Sequence, residues 1–148
     1  MASSLPKARI PKLPLTEEER QRLRAARVKL AALADCSLEE LAAIIAQPIE
    51  RARFLKSLAL FQRLANTGPE TAKDLWVLGF RDYADLAEGE PSRMYQDLCV
   101  HAGVRLDPCV EDSLRLCVAQ VRFPGLPEEK LRWWLWSDQR GQPVRRPD

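Results

Sequence analysis

The stretch Phe61-Gln-Arg-Leu-Ala-Asn-Thr-Gly-Pro-Glu-Thr-Ala-Lys-Asp-Leu-Trp76 is where residue types and spacing suggest chemistry, and the chemistry is anion binding. Helix-forming residues run up to Leu64, a turn composition follows at Asn66-Thr67-Gly68, and Pro69 opens a second helix. The first backbone N–H groups of a helix have no partner inside it, and the helix dipole adds positive character there. A phosphate oxygen could therefore be received by the N–H groups of Gly68, Glu70 and Thr71 and by the Thr71 hydroxyl. Gly68 would let a sugar-phosphate backbone come close, Asn66 tolerates the left-handed conformation such a turn needs, and Arg63 and Lys73 could add charge. Contacts of this kind ignore base identity, so binding would be sequence-independent and salt-sensitive. Two features oppose it. Glu70 places a negative charge in the receiving turn, and Thr67 with Glu70 spells a capping box that would use the free donors internally. A hairpin that only joins two helices stays open as the alternative.

Other constellations suggest less. Cys99, His101, Cys109 and Cys117 lack the spacing of a compact zinc knuckle. Cys109 and Cys117, eight residues apart on one expected helix, would stand about 12 Å apart at 1.5 Å per residue. We expect four reduced thiols, no metal and no cofactor. Trp133, Trp134 and Trp136 could stack on unpaired bases, but the favoured reading is a latch, with Trp133 and Trp136 packing onto the bundle. Glu111 and Asp112 are adjacent on a helix and point apart. No nucleophile with its base, P-loop or dinucleotide fingerprint is present, so catalysis is not expected.

The elements that would position these residues are punctuated by glycine and proline. Thr16 with Glu19, and Ser37 with Glu40, read as capping boxes for two N-terminal helices, the first over 17–33 and the second ending near Pro48. Further helices are expected over 49–65, 69–78, 82–88, 91–102 and 108–122, and a Trp-rich closing segment over 127–136. No period-two alternation is sustained, so the expected class is an all-α compact bundle. Residues 1–15 read as a basic extended arm, 16–136 as a single helical domain and 137–148 as a polar tail.

The formal charge of +2 is too small to announce a nucleic-acid binder, but its distribution is uneven. Residues 1–65 carry twelve Lys/Arg against seven Asp/Glu, and residues 66–136 carry eight against twelve. No secretory signal or membrane-length apolar run is evident, and the expected location is cytoplasmic, away from membranes.

The hairpin resembles the helix-hairpin-helix family, whose form is apolar-x-Gly-x-Gly-x-x-x-Ala. Gly68 matches the second glycine, Ala72 the small residue between the helices, and Leu64 and Leu75 the flanking core positions, with Asn66 replacing the first glycine. Leu78-Gly-Phe-Arg-Asp-Tyr-Ala-Asp-Leu86, Leu106-Asp-Pro-Cys-Val-Glu-Asp112 and Lys130-Leu-Arg-Trp-Trp-Leu-Trp136 look like the bacterial pathogenicity-locus family, small helix-hairpin-helix proteins of which some are labelled mitomycin-resistance proteins. The two resemblances cover about residues 49–136. They imply a helix-hairpin-helix core over about 49–122, with 91–122 as a degenerate second hairpin whose role is structural. They also imply sequence-independent DNA binding at Arg63, Asn66, Thr67, Gly68, Pro69, Thr71 and Lys73, in repair or uptake. The rival expectation is a protein-interaction adaptor that meets its partner through the acidic 82–112 face or the Trp-rich tail. A third is a monovalent cation held by hairpin carbonyls, as in some relatives of the motif.

Overall fold

The computed structural model describes residues 9–147, and among them there are helices and no strands. Of the basic arm expected over 1–15, residues 1–8 lie outside the described residues. From Arg9 to Leu15 the chain is extended, with Leu13 buried.

Helix α1, Glu17–Ala25, starts at the expected capping box. The Thr16 hydroxyl accepts from the Glu19 N–H at 3.1 Å, and the Glu19 carboxylate accepts from the Thr16 N–H at 2.9 Å. That carboxylate also takes the Arg51 guanidinium, at 2.8 and 2.9 Å, and so ties α1 to the third helix. The helix ends near Ala25, well short of 33. Arg27 is left-handed (φ 59°), the Val28 N–H returns to Leu23 O and the Arg27 N–H to Arg24 O. This is a Schellman closure with arginine where glycine is usual. A separate 3₁₀ segment, Leu30–Asp35, follows.

Helix α2, Leu38–Ile45, has half of its expected box. Ser37 caps the Glu40 N–H, but the Glu40 carboxylate accepts from the Ser37 hydroxyl rather than from its backbone.

Helix α3, Ile49–Phe61, is the central element and buries Ala52, Leu55, Leu58, Ala59 and Phe61 on more than one side, as a helix surrounded by others must. Helix α4, Pro69–Val77, lays Ala72 and Leu75 into the core. Short α5, Tyr83–Ala87, is capped by Asp82 and anchored by Leu86. Helix α6, Pro91–Ala102, buries Met94 and Leu98 and closes on left-handed Gly103. Helix α7, Cys109–Arg122, is the most deeply buried, with Leu114 to Ala119 all inside. Two 3₁₀ turns, Glu128–Lys130 and Trp133–Gln139, carry the aromatic segment back across α7. One apolar cluster takes residues from α1 to α7 and from the segment that closes them.

The segment after Trp136 is docked, although its sequence reads as a polar tail. Arg140 makes a two-pronged contact with buried Asp112, at 2.9 and 2.5 Å. The Gly141 N–H donates to Glu111, and Val144 is buried.

Candidate nucleic-acid interface

The turn between α3 and α4 is held by three side-chain clasps from distant parts of the chain. Gln62 takes both backbone groups of Lys12, accepting its N–H at 2.9 Å and donating to its carbonyl at 2.9 Å. Gln120 of α7 does the same for Ala65, at 2.8 and 3.0 Å. Asn66 is left-handed (φ 58°), and its Nδ2 donates to the Leu131 carbonyl at 2.8 Å. The arm, α7 and the Trp-rich segment thus meet at one turn. None of this shows in local spacing, because each clasp joins residues fifty or more positions apart.

Thr67 overturns the expected capping box. It is buried, its hydroxyl donates to the Ala65 carbonyl at 3.2 Å, and it lies 3.2 Å from the Cys117 sulfur. Burial pushes the Cys117 thiol up to about 11, so it is a neutral neighbour at physiological pH. With Thr67 turned inward, the helix cap is Gly68, and no side chain satisfies the first turn. The first amide to return to the backbone is that of Ala72, which bonds the Gly68 carbonyl at 3.0 Å. The earlier N–H groups of α4, those of Glu70 and Thr71, keep their outward direction. A Cβ built on Gly68 would meet nothing within 4 Å, and its φ of −86° suits any residue. A side chain there would therefore meet no strain, and only the approach of a ligand would feel it.

The remaining site residues divide. Pro69 occupies the first helical position, where its missing N–H costs nothing. Thr71 is half-buried on the first turn, and Lys73 is exposed, 3.8 Å from the Glu70 carboxylate. Glu70 itself is 87% exposed, which makes its charge a screened one. Arg63, expected to supply charge, does not face the turn. Its guanidinium holds Asp35 at 2.8 and 2.9 Å and the Ala31 carbonyl at 3.0 Å, and this pairing holds the Asp35 carboxyl below its ordinary range. The hairpin carbonyls of Leu64 and Ala65 already have donors, which leaves fewer acceptors for a cation.

Other cations stand closer to open solvent. Beside the Ala31 that Arg63 reaches, a groove of about 520 Å³ has an apolar floor including Leu23 and Val28 and is edged by Arg20, Arg24, Arg27 and Lys29. Arg132 follows the Leu131 that Asn66 holds and is exposed. The excess of cations over residues 1–65 is legible in the sequence, but the groove that gathers four of them and the placing of Arg132 are not, because both depend on tertiary packing. Among the described residues no group of three His, Cys, Asp or Glu side chains is placed to hold a metal, and no helix is long and apolar enough to cross a membrane.

No solved structure matches the chain. A mitomycin resistance protein, McrB, from Streptomyces lavendulae is 31% identical over 77 residues, which are 52% of this chain and 70% of that protein. The family described as Pathogenicity locus matches residues 55–142, from the middle of α3 through the docked C-terminal segment. That match takes in more than half of the sequence and includes the α3–α4 turn, α7 and the Trp-rich closure, and the chain therefore belongs to the pathogenicity locus family.

Proposed function

We propose that this protein is a sequence-independent DNA-binding module, in which the α3–α4 turn acts as a helix-hairpin-helix and receives a backbone phosphate at the start of α4. The observation that carries the reading is the inward turn of Thr67, which leaves the first turn of α4 without a side-chain cap beside an open Gly68. A helix start that is uncapped and unobstructed has the donors and dipole an anion needs. Exposed Lys73 lies on α4 itself, exposed Arg132 follows the Leu131 that Asn66 holds, and the basic edge at Arg20, Arg24, Arg27 and Lys29 adds positive potential to the same molecule. DNA repair or uptake is the setting in which base-blind contact would serve. The relative's name, a mitomycin resistance protein, suggests a protective role.

The adaptor reading relied in part on an acidic 82–112 surface, but Glu111 and Asp112 are turned inward and paired, so that face is less acidic than its sequence. The test is a fluorescence-anisotropy titration of the full chain with labelled single-stranded and duplex DNA at two salt concentrations. Binding that weakens steeply with salt and is indifferent to sequence is expected. No binding by the folded protein at low salt overturns the reading.

A further inference from the structure

The three clustered tryptophans do different jobs. Trp136 is buried, and its indole N–H donates to the Lys130 carbonyl at 2.9 Å. Trp133 packs against the core. Trp134 lies between them in sequence and remains 50% exposed, as does Leu135 at 48%. The exposed indole is nonetheless held. It meets the Trp133 ring edge-on, with centroids 5.7 Å apart and planes at 90°, and the Arg132 guanidinium lies 5.7 Å from its centroid. The Ser137 hydroxyl fastens the Trp134 carbonyl at 3.2 Å. An aromatic surface fixed in place but left in water is primed to stack, because little motion remains to be lost when a flat partner covers it.

What would cover it is set by where it sits. The Leu131 carbonyl, three residues before Trp134, accepts from Asn66, two residues before Gly68. Three residues span at most about 10 Å of chain. The exposed indole and its arginine are thus tethered to the turn whose amides face solvent, within the reach of a few nucleotides.

We infer that Trp134 and Arg132 form a base-stacking platform that continues the α3–α4 turn, so that the preferred ligand is DNA with an unpaired stretch or end. The inference rests on the phosphate-binding reading of that turn. A phosphate held at Gly68–Thr71 orients the strand, an unpaired base lies on the Trp134 ring, and Arg132 meets the adjoining phosphate. Bases inside a duplex present no free face, so Trp134 adds nothing to duplex binding.

The test follows intrinsic tryptophan fluorescence and anisotropy of the full chain with single-stranded oligothymidylate and with a duplex of equal length. Wild type should show quenching by the single strand. Trp134→Ala should lose that quenching and bind the single strand about tenfold more weakly, with duplex affinity unchanged. Arg132→Gln should keep the quenching while lowering single-strand affinity and flattening its salt dependence. If wild type binds both DNA forms and Trp134→Ala binds the single strand equally well, the platform is overturned and the phosphate site stands. If Trp134→Ala loses duplex and single-strand binding alike, the platform is overturned too. If wild type binds neither, both readings fall. Self-association that Trp134→Ala abolishes, with no change in DNA affinity, would make the patch a contact between copies and would also overturn the inference.

Discussion

The two joints between long helices, α3–α4 and α6–α7, begin from similar sequence material, a glycine and a proline between amphipathic helices, and end in opposite chemical states. At the α6–α7 joint Leu106 and the first turn of α7 find partners inside the protein. The Leu106 N–H meets the Cys99 sulfur, the Tyr95 hydroxyl donates to the Leu106 carbonyl, and the Asp107 carboxylate accepts the Cys109 N–H at 2.8 Å. The Val110 and Glu111 amides return to Asp107 and Pro108. At the α3–α4 joint the side chain that could have done the same, Thr67, is drawn away by Ala65 and Cys117, and the helix start faces solvent. Carboxylates follow the same division. Glu111 and Asp112 of α7 are buried and paired, whereas Glu70 of α4 stands in water. A helix start becomes available to a ligand when its own neighbours decline it, and glycine and proline alone do not decide that.

The sharpest way to separate the joints is to break the one that is internally satisfied. The Arg115 guanidinium is fully buried and rests on Glu111 at 2.7 Å and on the Gln142 carbonyl at 2.7 Å, with Ser92 farther off at 3.4 Å. Glu111→Ala removes the one carboxylate paired with it among the described residues, and stranding a buried charge costs about 3–5 kcal/mol. Urea unfolding should show a loss of that size. DNA affinity per folded molecule should be unchanged, and a parallel fall would mean that the joints do not act separately.

The closing segment comes next in size. Trp136→Ala should cost about 3 kcal/mol, as large core truncations do, and it removes the indole that holds the Lys130 carbonyl. Its effect on DNA should be confined to the stacking contribution of Trp134, and a loss of duplex binding by the folded variant would contradict the division drawn between the two residues.

Much of this fold is legible in the sequence, and the failures share one cause. Pro69, Pro91 and Gly103 mark helix ends correctly because proline and glycine act on their own backbone. Arg27 gives no such sign of a left-handed stop, since nothing in its side chain demands one, and the first helix is expected too long by about eight residues. The third helix is expected to Ala65 but ends at Phe61, where Gln62, Ala65 and Asn66 are claimed by Lys12, Gln120 and Leu131. The site behaves likewise. The position of the turn and the left-handed Asn66 are readable, whereas the diversion of Thr67 by Cys117 and of Arg63 by Asp35 depends on residues 50 and 28 positions away. Local rules name the candidates, and tertiary packing decides which of them are free.

Acid should weaken the parts of the molecule held by carboxylates while leaving the α4 start intact. The Arg51 guanidinium holds Glu19 below the ordinary glutamate value of 4.5. At Glu111, burial pushes the carboxyl up, but donors from the Gly141 N–H, Arg115 and Ser92 outweigh it and leave it lowered as well. A carboxyl lowered in the folded state contributes stability that is complete above its unfolded value and disappears as pH falls through the folded one. Urea stability should therefore be flat near neutrality, begin to fall as pH drops towards 4.5 and continue falling below it. Arg51→Gln should remove the Glu19 share of that decline, and an unchanged acid limb would show that the pair is not responsible.

The smallest effects in stability are the most telling for function, and they come from treating two glycines alike. Gly103 is left-handed at φ 72°, so Gly103→Val forces a β-branched residue into a conformation it avoids and should cost on the order of 1–2 kcal/mol. Gly68 is not left-handed, and an added Cβ meets nothing, so Gly68→Val should leave stability nearly unchanged. If a phosphate approaches α4 over that glycine, the same substitution should weaken DNA binding several-fold by obstructing the approach, whereas Gly103→Val should leave binding per folded molecule alone. Glu70→Lys supplies the opposite sign at the same place. It exchanges an exposed anion in the first turn for a cation, so affinity should rise and the salt dependence should steepen by about one counterion. The charge also becomes less favourable to the helix dipole, so a modest loss of stability should accompany the gain in affinity. This pairing excludes a general improvement of the fold as the cause. If Gly68→Val and Glu70→Lys both leave anisotropy titrations at wild-type values, the outward amides of α4 receive nothing, and the two joints differ in structure without differing in function.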